Sequence, residues 1–223
     1  MDDNHKEILP ASTHQETALD IVAAVSSVVP WIGGPVSVVL AGISLARKFE
    51  RVRGVLMDMA EQIKNLESDA SQKYVSSEDF QDLLGKTLRQ AADERVDEKR
   101  KAYSTFLASG IRYTNQSYDE KLRILRTLEE IQMDHIRMLK TLLQEPNRSI
   151  RGMIGSISQT LQKRLSDIPP DRIADLAQQL TDMRLVKLES LNTMMTATGA
   201  EELQHTVTPY GRSFIQYILG APS

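Results

Sequence analysis

Histidine is the residue type in this chain best suited to binding a metal ion, and its four copies are scattered. They are His5, His14, His135 and His205. A zinc site needs clustered His and carboxylate side chains at ligand spacing, and no HExxH pair occurs. The chain has no Cys, which excludes disulfides, thiolate ligands and cysteine nucleophiles. Because His135 falls on the apolar side of a predicted helix, we expect it to pack in the core, and the sequence predicts no metal and no cofactor.

Glycine and carboxylate patterns also give no indication of catalysis. The chain contains no GxGxxG or GxxxxGK[ST] phosphate loop and no GxSxG nucleophile motif. Gly33 and Gly34 follow a Pro-Trp pair and not a strand. Adjacent acids such as Glu129 and Glu130 point to different flanks of a helix, so they do not form an acid–base pair. We therefore predict that the protein is not an enzyme.

The charge balance argues against a protein that coats nucleic acid. The 223 residues include 27 Lys plus Arg and 30 Asp plus Glu, for a net charge of −3. Coating by bulk charge needs a basic surplus that displaces phosphate counterions. Hydrophobic residues make up 41% of the chain and aromatic residues only 5%, which favours an aliphatic, helical core. The predicted fold is mainly α.

The mean hydropathy of the whole chain is −0.31. Residues 21–46 differ from this average, because all 26 of them are uncharged. Pro and Gly at the centre of this segment should set a turn, with Trp31 at an interface. The turn residues are Pro30, Trp31, Gly33, Gly34 and Pro35. Three interpretations remain open: a transmembrane span, an apolar helical hairpin that is buried or inserts on assembly, and an oligomerisation stalk. At a membrane, a basic flank would contact anionic headgroups; its residues are Arg47, Lys48, Arg51 and Arg53.

Apolar or small residues then recur at alternating spacings of four and three, which predicts one helix with a heptad-like stripe from Val38 to Ala70. The stripe consists of Val38, Gly42, Leu45, Phe49, Val52, Leu56, Met59, Ile63, Leu66 and Ala70. Pairing of such stripes predicts a homo-oligomer. A further helix is predicted from Phe80 to Leu107, with a mixed-charge run at residues 93–101 as a solvated face.

The second half of the chain has the element order of a separate domain. Ser117 and Glu120 form a capping box that begins a helix, and two more helices are predicted to follow. Residues 185–191 and 203–208 alternate apolar and polar side chains, as strands do, and Pro209 opens a last helix. This order predicts a winged-helix-like domain with a small two-stranded wing. The predicted domains are a flexible N-terminus at 1–15, a helical domain at 16–112 containing the hairpin and long helices, and the winged-helix-like domain at 117–223.

In such a domain the third helix, here residues 170–183, would read base edges. Arg172 is its one basic residue. Its acidic residues are Asp171, Asp175 and Asp182. From residue 119 onward the chain has 13 basic and 13 acidic residues. Because acidic side chains would face phosphate, we expect a protein-interaction module and not a reader of nucleic acid.

One combination of segments extends over most of the chain from residue 20 onward. It consists of PWIGGP, RKFERV, DEKRKAYSTFLASGI, DEKLRILRTLEEIQMDHIRMLKTL and the winged-helix-like end. This combination resembles a set of mostly uncharacterised bacterial proteins, some of which are similar to the abortive-infection alpha family. The resemblance implies a bacterial protein of phage defence, located in the cytoplasm or at the inner membrane. It implies no catalytic residues.

The leading hypothesis is a non-enzymatic defence protein. It would act through oligomerisation or membrane association of the hairpin, with the winged helix as an interaction or sensing module. The alternative is a cytosolic winged-helix transcription regulator that dimerises through its N-terminal helices. A structural adaptor without any membrane role is a third hypothesis.

Overall fold

The computed structural model describes residues 11–41, 48–66, 68–144, 155–188, 191, 194–195 and 199–220. Over these residues the chain is mainly helical, which confirms the predicted fold class. The chain divides into two compact units, residues 1–126 and residues 127–223. The division falls inside the helix Tyr118–Glu130 and therefore later than Ser117, where the sequence indicated the start of the second domain.

An apolar hairpin begins the first unit. α1 (Ala11–Val28) and α2 (Gly33–Ala41) pack on each other across a 3-10 turn at Pro30–Ile32. Pro30 begins this turn because its fixed φ and missing N–H suit a first helical position. Both helices bury residues four apart, which is the spacing of one helix face. The buried residues are Ile21, Val25 and Val29 before and Val36 and Leu40 after the turn.

The central helix of this unit is α3 (Phe49–Ile63), which packs on α1 and on two later helices, α5 (Glu78–Asp93) and α6 (Asp97–Arg112). Its buried side includes the middle of the predicted stripe. The buried residues are Val52, Val55, Leu56, Met59, Ala60 and Ile63. Burial of each large aliphatic side chain contributes about 1.5–3 kcal/mol relative to exposure, so this helix holds the unit together.

The single helix predicted from Val38 to Ala70 is wrong. α3 ends at Ile63, the Leu66 N–H donates to the Ile63 carbonyl in a turn, and a separate helix, α4 (Asp69–Val75), begins after Ser68. The apolar spacing continues across the break because α3 and α4 both pack on α5 and α6. The apolar periodicity therefore indicates which residues pack in the shared core and does not indicate where the helix ends. Two predicted stripe residues, Gly42 and Leu45, and Arg47 of the basic flank lie outside the described residues.

The helix predicted from Phe80 to Leu107 is two helices, α5 and α6. Between them the Glu94 carboxylate accepts hydrogen bonds from the N–H groups of Arg95 and Val96. Local bonds of this kind compete with continuation of a helix. Part of the mixed-charge run that was predicted to be solvated is covered, because Lys99 is 9% exposed and forms an ion pair with Glu94 at 3.6 Å.

α7 (Tyr118–Glu130) begins at the predicted capping box, which is confirmed. The Glu120 N–H donates to Ser117 Oγ at 3.3 Å, and the Ser117 N–H donates to the Glu120 carboxylate at 2.9 Å. The second unit is built around α8 (Met133–Leu143), on which the later helices pack. These are α9 (Ile157–Arg164), α10 (Pro170–Asp182), α11 (Gly199–Thr206) and α12 (Pro209–Leu219).

The two-stranded wing predicted from residues 185–191 and 203–208 is wrong. Most of the second segment belongs to α11, and Val207 makes one isolated antiparallel bridge to Val186. Leu203 and Val207 are both buried. A spacing of four residues is also that of one helix face, so Leu203 and Val207 fit a helix as well as an alternating strand, and in the structure Leu203 lies in α11 while Val207 follows its end.

A short pairing elsewhere in this unit joins β1 (Gly155–Ser156) to β2 (Met194–Met195), antiparallel, with Gly155 opposite Met195. α12 is held by its N-cap, since the Gly211 N–H donates to Thr208 Oγ1 at 2.9 Å. At Gly211 the helix lies against the chain at Leu185 so closely that a Cβ would overlap the Leu185 carbonyl oxygen. Glycine is therefore required at this position.

Candidate interaction surface

The hairpin turns an uncharged side to solvent. Leu19 on α1 and Val38 on α2 are 66% and 61% exposed. The exposed positions in each helix are three or four residues apart and lie opposite the buried ones, so they share one side of the layer that the two helices form. We call these residues the outer hairpin face: Leu19, Ala23, Ser27, Pro30, Gly34, Val38 and Ala41. Asp20 is exposed beside one end of this face.

Two serine hydroxyls of the hairpin, those of Ser27 and Ser37, are already hydrogen-bonded. Ser27 Oγ donates to the Ala24 carbonyl and Ser37 Oγ donates to the Gly34 carbonyl, each at 2.7 Å. A hydroxyl bonded to the preceding helical turn needs no partner from water. These serines therefore present little polar surface, and the face can be covered without leaving their donors unpaired.

The predicted turn residues take different positions in the hairpin. Gly33 is buried, and a Cβ there would overlap the Ser26 hydroxyl of α1, so the close approach of the two helices favours glycine and any larger residue would force the Ser26 side chain to move. Gly34 is exposed, and a Cβ there would meet no atom within 4 Å. Trp31 and Pro35 are half-buried and Pro30 is exposed.

The described part of the basic flank contacts α5. Lys48 forms an ion pair with Asp93, and Arg51 Nη1 donates to the Ala92 carbonyl at 3.0 Å. Cations at a helix C-terminus satisfy its last carbonyls and offset its partial negative charge. Two of the side chains predicted to contact lipid headgroups thus bind the end of a helix, while Arg53 is exposed.

The predicted stripe lies mostly in the core. Val52, Leu56, Met59 and Ile63 are at most 1% exposed, and Phe49 and Leu66 are half-buried. The stripe's buried middle is therefore covered by this chain's own helices. Within the described residues, Val38 and Ala70 are the exposed members of the stripe, and Val38 belongs to the outer hairpin face.

A buried lysine is the feature that the sequence analysis missed. Lys121 is fully buried, its Nζ donates to the Gly110 carbonyl at 3.2 Å, and the Nζ lies 3.7 Å from the centre of the Tyr74 ring. Burial lowers the pKa of Lys121 to about 8, although Asp79 and Glu120 act in the opposite direction. The sequence contains one indication of this burial. Lys121 precedes Leu125 and Leu128 by four and seven residues, so it stands on the apolar face of its helix. We call Lys121, Tyr74 and Gly110 the Lys121 corner.

The Lys121 corner is a structural arrangement. Its ammonium lies over an aromatic ring, an attraction worth about 2 kcal/mol when desolvated, and it binds a carbonyl in the last turn of α6. The Tyr74 ring also contacts Phe80 edge to face at 5.5 Å. Because Lys121 is covered on all sides, its amine has no access to a substrate.

A charged cleft of about 310 Å³ lies between α3 and α6. Its charged side chains are three acids and three bases: Glu50, Asp58, Asp97, Arg51, Arg100 and Lys101. Arg51 and Arg100 donate to the carbonyls of Ala92 and Glu94, and Arg100 also pairs with Asp97. Two of the three bases in the cleft, Arg51 and Arg100, thus hold the end of α5.

His135 is buried, as expected from its position on the apolar side of α8. Its Nδ1 accepts from the Gln132 N–H at 3.1 Å, and its Nε2 therefore donates to Gln179 Oε1 at 2.7 Å. Burial lowers the pKa of His135, although the bond to Gln179 acts in the opposite direction. The histidine is a satisfied core residue that ties α8 to α10.

The polar groups of α10, the helix predicted to face bases, are bonded within the unit. Gln179 binds His135, Gln178 binds Asp182, and Arg172 binds the Gln132 side chain. The exposed positions include three acids, Asp171, Asp175 and Asp182. This surface would repel phosphate.

Within the described ranges, no His, Asp and Glu side chains gather in groups of three or more that could hold a metal ion. No described helix combines the length and the apolar character needed to cross a bilayer. No family model, no curated protein and no solved structure matches this chain.

Proposed function

We propose that this chain is a non-enzymatic assembly protein of bacterial phage defence and that the outer hairpin face is its working surface. The observation that carries the proposal is a solvent-facing side of two packed helices that bears Leu19 and Val38 and no charge. Exposed apolar patches of this kind mark contact sites, since they add nothing to the stability of the isolated chain.

The hairpin is well suited to present such a surface. α1 packs on α3 and α2 packs on α5, so the inner side of both helices is fixed to the core of the unit. A partner that covers the outer face meets helices that are already ordered, and the entropy lost on binding is correspondingly small. The assignment to phage defence is based on the sequence resemblance. The assignment of the contact surface is based on the geometry of the hairpin.

Phage infection of bacteria that express the chain tests the proposal. Wild type is expected to lower the plating efficiency of phage, and Val38→Arg is expected to restore it, because a charge would stand in the middle of the face. Gly54→Arg is the matched control: Gly54 is exposed on α3, a Cβ there meets nothing within 4 Å, and the position lines the cleft between α3 and α6 and does not belong to the face. Protection that survives Val38→Arg would contradict the proposed working surface.

A transcription regulator is the second candidate. α8, α9 and α10 pack on one another, β1 directly precedes α9, and β2 follows α10 and pairs with β1. This is the element order of a helix-turn-helix domain with a reduced sheet. The acidic exposed side of α10 argues for a protein partner of this domain and against base reading. A gel shift with genomic fragments separates the candidates, since a specific, salt-sensitive shift would favour the regulator.

A further inference from the structure

We propose that the contact between the start of α8 and α10 is a pH-sensitive latch, which protonation of His135 opens when the pH falls. We call His135, Gln132, Gln179 and Arg172 the α8–α10 latch. The latch belongs to the second unit, whereas the proposed function concerns a surface of the first unit, so the two can be tested separately.

His135 is the third residue of α8, and its side chain caps the start of the helix. Gln132 is the N-cap residue, and its backbone N–H donates to His135 Nδ1 at 3.1 Å. In a capping box the third helical residue reaches back to the N-cap N–H in this way, and it is usually Glu or Gln. A histidine nitrogen differs from these acceptors, because it no longer accepts a hydrogen bond once it is protonated.

Two other helices of the same chain carry the usual acceptor at this position. In α7 the Glu120 carboxylate accepts from the Ser117 N–H at 2.9 Å, and in α9 Gln159 Oε1 accepts from the Ser156 N–H at 3.3 Å. The hydrogen bonds from Ser117 lower the pKa of Glu120, and an amide does not titrate. Of these three helices, α8 is therefore the one whose cap depends on a group that titrates near neutral pH.

Both ring nitrogens of His135 have partners that suit only the neutral imidazole. Nε2 donates to Gln179 Oε1 at 2.7 Å, which leaves Nδ1 as the acceptor for Gln132. In an imidazolium both nitrogens are donors, so Nδ1–H would face the Gln132 N–H. The Gln132 carbonyl already accepts from the N–H groups of His135 and Ile136, at 3.1 and 3.4 Å. Because His135 is only 1% exposed, a protonated ring must leave its site to be solvated.

The groups around the ring favour the neutral form. Burial lowers the pKa of His135 below its ordinary value of 6.5, and the Arg172 guanidinium on α10 acts in the same direction. The bond to Gln179, the Gln132 backbone and the Asp134 carboxylate raise the pKa of His135 but do not offset the burial. Arg172 is held in place by its bond to the Gln132 side chain, so it is part of the latch.

The other described charges on the helices that pack against α8 are bonded elsewhere or exposed. Arg164 of α9 donates to the Thr141 carbonyl in the last turn of α8, and Arg212 of α12 donates to the Gln204 carbonyl. The exposed ones are Lys163 of α9, Asp171, Asp175 and Asp182 of α10, and His205 of α11. Arg172 is thus the cation that opposes a charged His135.

Opening of the latch is coupled to proton uptake. An opened, solvated ring binds a proton with a pKa near 6.5, whereas burial lowers the pKa of the closed ring. Below pH 6.5 each pH unit therefore favours the opened state by up to about tenfold. We expect the latch to be closed at pH 7.5 and to loosen between pH 6.5 and pH 5.5, above the range in which most carboxylates titrate.

Amide hydrogen exchange of the full chain at pH 7.5 and pH 5.5 tests the proposal. The results are compared as protection factors, which remove the intrinsic pH dependence of exchange. Protection at the start of α8 and along α10 is expected to fall about fivefold to tenfold. The start of α9, which Gln159 caps, should keep its protection in the same sample. An equal loss at both helix starts would mean general acid unfolding and would overturn the latch.

His135→Gln gives α8 the acceptor that α9 already has, without a titrating group. Its protection at the start of α8 should agree within about twofold at the two pH values. His205→Gln, at an exposed position of α11, is the matched control and should lose protection as wild type does. A pH-dependent loss in His135→Gln as large as that in wild type would show that another group operates the contact.

Gln179→Glu is a second variant that does not depend on the folding of His135→Gln. A carboxylate that accepts from Nε2 stabilises the imidazolium, so His135 should protonate, and the latch should open, at a pH about one unit higher than in wild type. Proton NMR of the His135 ring follows protonation directly. Wild-type protein that keeps full protection at the start of α8 while this ring is protonated would overturn the proposal.

Discussion

The outer hairpin face and the Lys121 corner depart in opposite directions from the usual arrangement of a folded chain. The face leaves Leu19 and Val38 in solvent, whereas the corner buries an ammonium group. An exposed apolar side chain adds nothing to the free energy of unfolding of one chain, so its contacts are to be sought outside it. A buried charge lowers that free energy unless contacts inside the chain offset the loss of solvation.

The two regions should therefore respond to substitution in separate measurements. Changes at the Lys121 corner should alter the free energy of unfolding and leave association unchanged. Changes on the face should alter association and leave the free energy of unfolding nearly unchanged.

The largest effect is expected for Lys121→Glu. A carboxylate in this position would lie against the Gly110 carbonyl and the face of the Tyr74 ring, both of which repel negative charge. We expect the free energy of unfolding to fall by about 4 kcal/mol or more, in the range for an uncompensated buried charge. Arg126→Glu, an exposed position on the same helix, is the control and should change it by less than about 1 kcal/mol. Urea unfolding measures both, and equal effects would refute the buried role of Lys121.

The pH dependence of stability is the next largest effect. The pKa of Lys121 is about 8 in the folded chain and near 10.5 when unperturbed, so folding releases a proton between these values. The free energy of unfolding is therefore expected to rise with pH in this window, by about 2 kcal/mol from pH 7 to pH 9.5. This pH window lies below the pH at which Tyr74 titrates, because burial raises the pKa of Tyr74 above its ordinary value.

Lys121→Met is the control for this pH dependence. It keeps the apolar stem and removes the charge. The free energy of unfolding at pH 7 should therefore rise by about 1–2 kcal/mol, a value that already includes the loss of the hydrogen bond to the Gly110 carbonyl. Its free energy of unfolding should lack the rise between pH 7 and pH 9.5. Urea unfolding at four pH values checks both, and an identical slope in the two proteins would show that another group titrates.

The two regions also differ in how far the sequence predicted them. The hairpin turn follows from local chemistry, since Pro30 can begin but not continue a helix and Gly33 permits close packing. The uncharged run at residues 21–46 likewise marked the segment to which the face belongs. These features act over a few residues, which a sequence shows directly.

The features that the sequence did not reveal depend on tertiary packing. Alternating apolar residues at 203–208 fit a strand or a helix, and burial of Leu203 against the unit's other helices decided for the helix. The stripe predicted as a stalk is mostly core, because α5 and α6 cover it. The sequence did not predict the burial of Lys121, because lysine is usually solvated and only the position of the Tyr74 ring shows that this one is covered.

A smaller effect is expected at two glycines of the first unit. Gly33→Ala should lower the free energy of unfolding by about 1–2 kcal/mol, since the Ser26 side chain must move. Gly54→Ala, at an exposed position of α3 where a Cβ meets nothing within 4 Å, should raise it by about 0.5–1 kcal/mol through helix propensity. Thermal unfolding checks the opposite signs. Equal destabilisation of both variants would show that the cost at Gly33 does not come from the close approach of the two hairpin helices.

The smallest change in monomer stability, and the clearest separation of the two regions, is expected for Leu19→Lys. Leu19 is 66% exposed, so little apolar contact is lost and the free energy of unfolding should change by less than about 0.5 kcal/mol. Phage protection should nevertheless fall, because the substitution would bring a cation to the uncharged outer hairpin face. Urea unfolding and the plating efficiency of phage measure the two quantities. A loss of stability without a loss of protection would mean that this face supports the fold and not the assembly, and the contrast with the Lys121 corner would disappear.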